Sequence, residues 1–228
     1  MRVDVAIADI DSYSMLFYGN YLRYNERAAN ACLGNGSNHA TLCRVTLAKY
    51  VKSVRWNETV HIRTLLVPGA LVGENRSAGS THAERSLLHE WLVDDSIVFI
   101  SICTYIGHGA FNFDAAIVPD VKEERRIKAL LREAADTFVP QSKGAKHEIN
   151  CVYPDMISAS GTLTVPSVMD LFERQRTKLI GDQAELQRLK TEDDIMIVVY
   201  LIQQLELPPD TTVQPQDEIE ISSAFTVK

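Results

Sequence analysis

The sequence predicts an α+β fold of strands and long amphipathic helices, and it predicts that plan twice. Three observations carry this reading. Hydrophobic alternation of period two gives way near Met15 to a helical period and returns near Thr41. Successive strand-like runs in the first half are parted by short polar turns at Arg55–Glu58 and Asp94-Asp95. After residue 146 a shorter strand–helix–strand series begins again.

Arg2–Ala8 reads as a strand, with Val3, Val5 and Ile7 alternating against Arg2, Asp4 and Ala6. From Met15 to Leu33, Phe17, Tyr21, Tyr24, Ala28 and Ala31 recur at helical spacing, and the Gly34–Asn38 stretch stops that helix. Thr41–Lys52 and Thr59–Val67 are strands parted by the turn at Arg55–Glu58. A loop follows, marked by Pro68-Gly69 and the small, polar Gly73–Ser80, then the strand pair Ser86–Val93 and Ser96–Ile106 joined at Asp94-Asp95. Lys122–Phe138 carries Ile127, Leu130, Leu131, Ala134 and Phe138 on one stripe of an otherwise charged helix, and Pro140–Lys146 reads as a linker. Beyond it lie a strand at Glu148–Tyr153, a helix at Pro166–Ile180 ended by Gly181, and strands at Ile195–Leu207 and Glu218–Val227.

The two long helices share Glu-Arg pairs, Glu26-Arg27 and Glu173-Arg174, and the run from Trp56 to Ile62 resembles that from Pro215 to Ile221. These matches predict an internal repeat of about 145 to 160 residues. The expected organisation is a first domain over 1–120, a bridging helix and linker over 121–146, and a degenerate or truncated second domain over 147–228.

Composition bounds the function. Of 228 residues, 46% are hydrophobic and 23% charged, the balance of a globular protein and not of a disordered one. No apolar run reaches the ~18 residues of a membrane span, and Asp4 interrupts any signal-peptide core. A net charge of −7 argues against a nucleic-acid partner. Cys32, Cys43, Cys103 and Cys151 are scattered, without a metal-binding or disulfide framework, which fits a reducing, cytoplasmic setting. The histidines show no ligand spacing, and no Gly-x-Ser-x-Gly elbow supports a serine hydrolase.

The informative segment is Asp9-Ile10-Asp11 followed by Ser14 and then Tyr18-Gly19-Asn20-Tyr21 at the start of the long helix. It resembles the signature of the hotdog-fold acyl-CoA thioesterases of the 4-hydroxybenzoyl-CoA type: Asp-x-Asp, a short turn, then a helix opening with Tyr-x-Asn-Tyr. Asp9, Asp11, Tyr18, Asn20 and Tyr21 fall in register without a gap over some 20 residues, with looser agreement to about residue 106. The resemblance implies a double hotdog, each half an antiparallel sheet wrapped around a long central helix. It also implies hydrolysis of an acyl-CoA or acyl carrier protein thioester without metal or redox cofactor, and self-association of the double hotdogs. In that reading Asp11 is the nucleophile or general base, the backbone N–H of Tyr18 is the oxyanion donor, Asn20 fixes the site, and Ser14 and Tyr21 contact substrate. Some family members use a helix glutamate, which makes Glu26 the reserve catalytic residue.

Elementary chemistry agrees with these roles. A thioester needs one nucleophile or base and donors for the developing oxyanion, and a helix start offers N–H groups without intrahelical acceptors. Plainer readings compete: Asp11 as a helix cap, Asp9 as a turn residue, the tyrosines as core, Glu26 and Glu173 in helix ion pairs. The family has Gly where this chain has Ser14, and the second half keeps Asp155 and Gly161 but not the Asp-x-Asp. A non-catalytic acyl-thioester-binding protein is therefore the alternative. A hotdog dehydratase built on His61 is a weaker one, because His61 lies in a strand with no helix expected after Pro68-Gly69.

Overall fold

The computed structural model describes residues 1–11, 14–34, 39–72, 82–108, 112–136, 146–158, 161–194, 199, 201–207 and 212–223. The expected loop at 73–80, most of the linker at 140–146, the opening of the Ile195–Leu207 strand and the end of the last strand lie outside these residues. The chain divides into one unit of Met1–Phe138 with Tyr200–Leu207, and a second of Val139–Val199 with Pro208–Lys228.

The first unit contains a six-stranded sheet. Its strands are β1 (Arg2–Asp4), β2 (Thr41–Tyr50), β3 (Thr59–Leu66), β4 (His82–Val93), β5 (Ser96–His108) and β7 (Leu201–Glu206), in the order β1-β3-β4-β5-β2-β7. Every neighbouring pair is antiparallel. The hairpin β4–β5 turns at Asp94 and Asp95, both with positive φ (48° and 61°). Two left-handed residues in a two-residue loop match the twist of the flanking strands, and aspartate tolerates that region better than most side chains.

Helix α1 (Tyr18–Ala31) packs on one face of this sheet. Tyr21 stacks on Trp91 at 4.7 Å between centroids and meets Phe99 at 4.8 Å. Helix α3 (Val121–Asp136) covers the other face, where Ile127 and Ala134 pack with Leu47, Leu65, Leu88, Ile100 and Ile102. Cover on both faces explains why Val98 to Tyr105 are buried without alternation. Each large side chain so buried contributes about 1.5–3 kcal/mol. A short helix, α2 (Gly69–Val72), follows β3 where a loop was expected.

The buried stripe of α1 differs from the expected one. Tyr21, Tyr24 and Ala28 are buried as expected, but so are Leu22, Asn25 and Ala29, whereas Ala31 is exposed. The extended run at the N-terminus is also shorter than the alternation predicts, since Ile7–Asp9 form a single 3-10 turn. Past α1, Gly34 lies so close to Asp114 that a Cβ there would sit 1.9 Å from its carboxylate. A side chain at this position would have to push the exposed Asp114 carboxylate aside.

The second unit holds β6 (Lys146–Cys151) paired with β8 (Glu218–Ser223), and the helices α4 (Val165–Ile180) and α5 (Asp182–Glu192). Gly181 ends α4 as expected, at φ 122°, but α5 follows at once and has no counterpart in the sequence reading. Val152, Met156, Leu171 and Ile221 form its core. No helix among the described residues is long and apolar enough to cross a membrane.

The second unit reproduces hydrogen bonds of the first. The bridge Ile10–Leu16 recurs as Ile157–Leu163, each residue 147 positions on. The 3-10 turn at Ile7–Asp9 recurs at Pro154–Met156, and α1 and α4 begin at Tyr18 and Val165, again 147 apart. In the turn before β3, Arg55 N–H donates to Glu58 Oε2 at 2.7 Å, and in the turn before β8, Gln214 N–H donates to Asp217 Oδ2 at 2.8 Å. Asn57 and Gln216 take positive φ (66° and 77°) at the same place in those turns, 159 positions apart.

Candidate functional site

The segment between the 3-10 turn and α1 is a tight reversal closed by Asp11. Its N–H donates to the Met15 carbonyl at 2.8 Å, its carbonyl accepts Ser14 N–H at 3.0 Å, and its Oδ1 accepts Met15 N–H at 3.1 Å. Ser14 sits at φ 60°, exposed, in the left-handed region. The same reversal in the second unit puts Gly161 at φ 77°. The glycine of the resembled signature therefore falls at a backbone position that favours glycine.

This reversal carries the chain into α1. The residue preceding the helix is Phe17, whose side chain makes no capping bond, while the Asp11 carboxylate closes the turn at Met15. In the second unit the corresponding residue is Thr164, whose hydroxyl accepts Ser167 N–H at 3.2 Å. Ser158 stands where Asp11 stands, its Oγ accepting Thr162 N–H at 3.3 Å. Asp155, the acid that the second half keeps, corresponds to Ala8 and not to Asp11.

Tyr18 is the first residue of α1, half-buried, its ring set edge-on to Tyr50 at 5.3 Å. Asn20 donates from Nδ2 to the Asp9 carbonyl at 2.9 Å and accepts from Arg23 at 2.7 Å. Tyr21 is 1% exposed, and its hydroxyl accepts the Val54 N–H at 2.9 Å; burial pushes that phenol well above its ordinary pKa. Tyr24 donates to Asp9 Oδ2 at 2.6 Å, and burial first, then the Asp9 carboxylate, push its phenol up to about 12. In the sequence Tyr24 reads as a core aromatic and Asp9 as a turn residue; their pairing across 15 residues leaves no local signal.

Glu26 lies on the third turn of α1, half-buried. Its Oε1 accepts Leu42 N–H at 3.1 Å, so the carboxylate serves the start of β2 and not the expected ion pair with a neighbouring arginine. Burial raises its pKa, against the pull of the Leu42 N–H and His39. Glu173 does pair within its helix, with Arg176. His61 is an exposed residue of β3 opposite Arg2.

A second polar cluster fills the α1–sheet interface. Asn25 accepts from Trp91 Nε1 at 2.7 Å and donates to Ser101 Oγ at 2.8 Å. His89 lies between Thr64 Oγ1 (3.1 Å) and the Tyr105 hydroxyl (2.8 Å), and its burial pushes its pKa down to about 3. All are buried, so this cluster is structural polar packing. Among the described residues no group of three or more His, Cys, Asp or Glu could hold a metal ion.

No protein-family model and no curated protein sequence matches the chain. Solved structures similar to it include an apo-hexameric acyl-CoA thioesterase (12% identity, TM-score 0.39, covering 60% of this chain and 92% of that one). An acyl-CoA hydrolase from Staphylococcus aureus in complex with butyryl coenzyme A, coenzyme A and coenzyme A disulfide matches at 13% identity and TM-score 0.38, over 60% and 87% of the two chains. A putative thioesterase from Pseudomonas putida KT2440 matches at 16% identity and TM-score 0.36, over 64% and 92%. Likeness at so low a TM-score carries no functional conclusion, and the chain's own residues have to supply it.

Proposed function

We propose that this chain is a tandem hotdog-type thioesterase with one working site, in the first unit, that hydrolyses acyl-CoA thioesters to the free acid and CoA. One observation carries the reading. The loop–helix junction is built twice, but only the first copy places a carboxylate in the loop, Asp11 against Ser158, ahead of a helix whose preceding residue makes no side-chain cap, Phe17 against Thr164. A carboxylate next to a helix start suits a reaction that builds negative charge on a carbonyl oxygen.

In this mechanism Asp11 takes a proton from the attacking water and passes it to the leaving thiolate, or it attacks the thioester carbonyl itself and the resulting mixed anhydride is then hydrolysed by water, whose proton goes to the thiolate. On either route the oxyanion gathers at the backbone N–H of Tyr18 and collapses with cleavage of the C–S bond. Asn20 and Ser14 shape the loop, Tyr21 backs it from the core, and Glu26 is the reserve base. An acyl carrier protein thioester would present the same carbonyl. Thiol release from short, long and aromatic acyl-CoAs should fall on the order of 100-fold or more in Asp11→Asn at unchanged Tm.

A second reading is favoured by one feature. The Asp11 carboxylate holds the turn by the same bond that the Ser158 hydroxyl makes, which suits a protein that binds acyl thioesters without cleaving them. Binding of CoA with no thiol release, alike in wild type and Asp11→Asn, would establish that reading.

A further inference from the structure

Asp9 meets α1 at three points. Its carbonyl oxygen accepts Phe17 N–H at 3.0 Å and Asn20 Nδ2 at 2.9 Å, and its carboxylate accepts the Tyr24 hydroxyl at 2.6 Å. The Arg27 guanidinium lies 5.0 Å from the centroid of the Tyr24 ring. Asp9 thus sets how the loop bearing Asp11, two residues on, approaches the first turn of α1.

The second unit shows what the fold alone requires here. The residues 147 positions on are Met156 and Leu171. The backbone member of the contact persists, with Thr164 N–H donating to the Met156 carbonyl at 3.2 Å. The carboxylate–phenol bond does not: Met156 and Leu171 are buried together in the apolar core with Val152 and Ile221. The same junction therefore folds around an apolar pair. A carboxylate and a phenol in that place carry a desolvation cost that two apolar side chains avoid.

We infer that Asp9 and Tyr24 are positioning residues whose hydrogen bond fixes the Asp11 loop against the start of α1, so that carboxylate and oxyanion donor address one carbonyl carbon. The inference rests on the thioesterase reading above. A hydrogen bond has a set length and direction, whereas a methionine packed on a leucine can slide and change rotamer. The difference counts where sub-ångström placement of reacting groups does.

Transplanting the second unit's pair tests this directly. Asp9→Met with Tyr24→Leu should keep Tm within a few degrees and KM within about threefold, while kcat falls roughly 10- to 100-fold. Asp9→Asn keeps an oxygen for the phenol to bond, and should hold kcat within about threefold of wild type. An unchanged kcat in the folded double variant, or a loss confined to KM, overturns the inference. Should the double variant lose Tm as well, Tyr24→Phe decides, because a folded phenylalanine variant with wild-type kcat also overturns it. Failure of the underlying reading looks different: wild type releases no thiol, or Asp11→Asn matches it, and the positioning role then falls with it.

Discussion

Asn25 shows how much one buried amide can organise. Its oxygen and nitrogen join α1 to β4 through Trp91 and to β5 through Ser101, 66 and 76 residues away. Asn25→Leu would leave the indole N–H buried without a partner, a cost of about 1–3 kcal/mol, while the Ser101 hydroxyl keeps the Cys103 thiol as donor at 3.6 Å. A lowered urea midpoint at unchanged m-value checks this. Ser14 offers the opposite effect. It holds a left-handed conformation in an exposed turn, so Ser14→Gly should raise stability by roughly 0.5–1 kcal/mol, read as a Tm increase of a few degrees. The two residues are unequally legible in the sequence. Ser14 stands out because glycine is expected there, while Asn25 does not, because an asparagine in a helix reads as solvent-facing until its distant partners are known.

Among the elements, α3 is the one most dependent on charge. Glu90 of β4 is 2% exposed and pairs with Arg126 of α3 and with Arg63 of β3, at 3.0 Å to the latter, while Arg63 also pairs with Glu123 of α3. Both arginines are more than a third exposed, so solvent screens the attraction. Glu90→Gln should therefore cost only about 1–2 kcal/mol, well below the loss expected for a fully buried pair. Chemical denaturation at low and at high salt would show it, with the smaller difference from wild type in high salt. The stripe of Ile127 and Ala134 makes α3 legible as an amphipathic helix. What it covers is not legible, since the buried glutamate that receives it stands among polar residues of β4 and reads as solvent-facing. Helix α5 escapes notice because its pattern is weakly amphipathic and Gly181 reads as a stop.

Across the whole molecule the repeat is legible in outline, because turns and helix starts depend on local residues that both copies keep, such as Glu58 and Asp217. The proposed division of labour between the copies is not, since it turns on which side chain meets which N–H in the loop before each helix. Acid sensitivity is another global property. His89 is held neutral by burial, its pKa pushed from an ordinary 6.5 down to about 3, with the N-terminal ammonium adding slightly in the same direction. The unfolded chain takes up a proton below about pH 6.5 that the folded chain refuses, so stability is full above that value and is lost as pH falls towards 3. The slope from this group is about 1.4 kcal/mol per pH unit. Urea midpoints at about pH 7 and pH 4.5 should diverge in wild type and converge in His89→Gln.

The place of β7 in the first sheet sets the order in which that sheet can assemble. The hairpin β4–β5 closes through two residues, and β2 reaches β5 across some fifty, but Lys49 pairs with Leu201 only after the 151 residues between them have been brought round. Loop-closure entropy grows with that separation, and contacts so remote in sequence form late. A nascent chain would thus hold its first five strands while the outer edge of β2 stood open. During that interval the edge from Arg44 to Lys49 is a template for any passing strand, and chaperone demand and aggregation on refolding should both concentrate there.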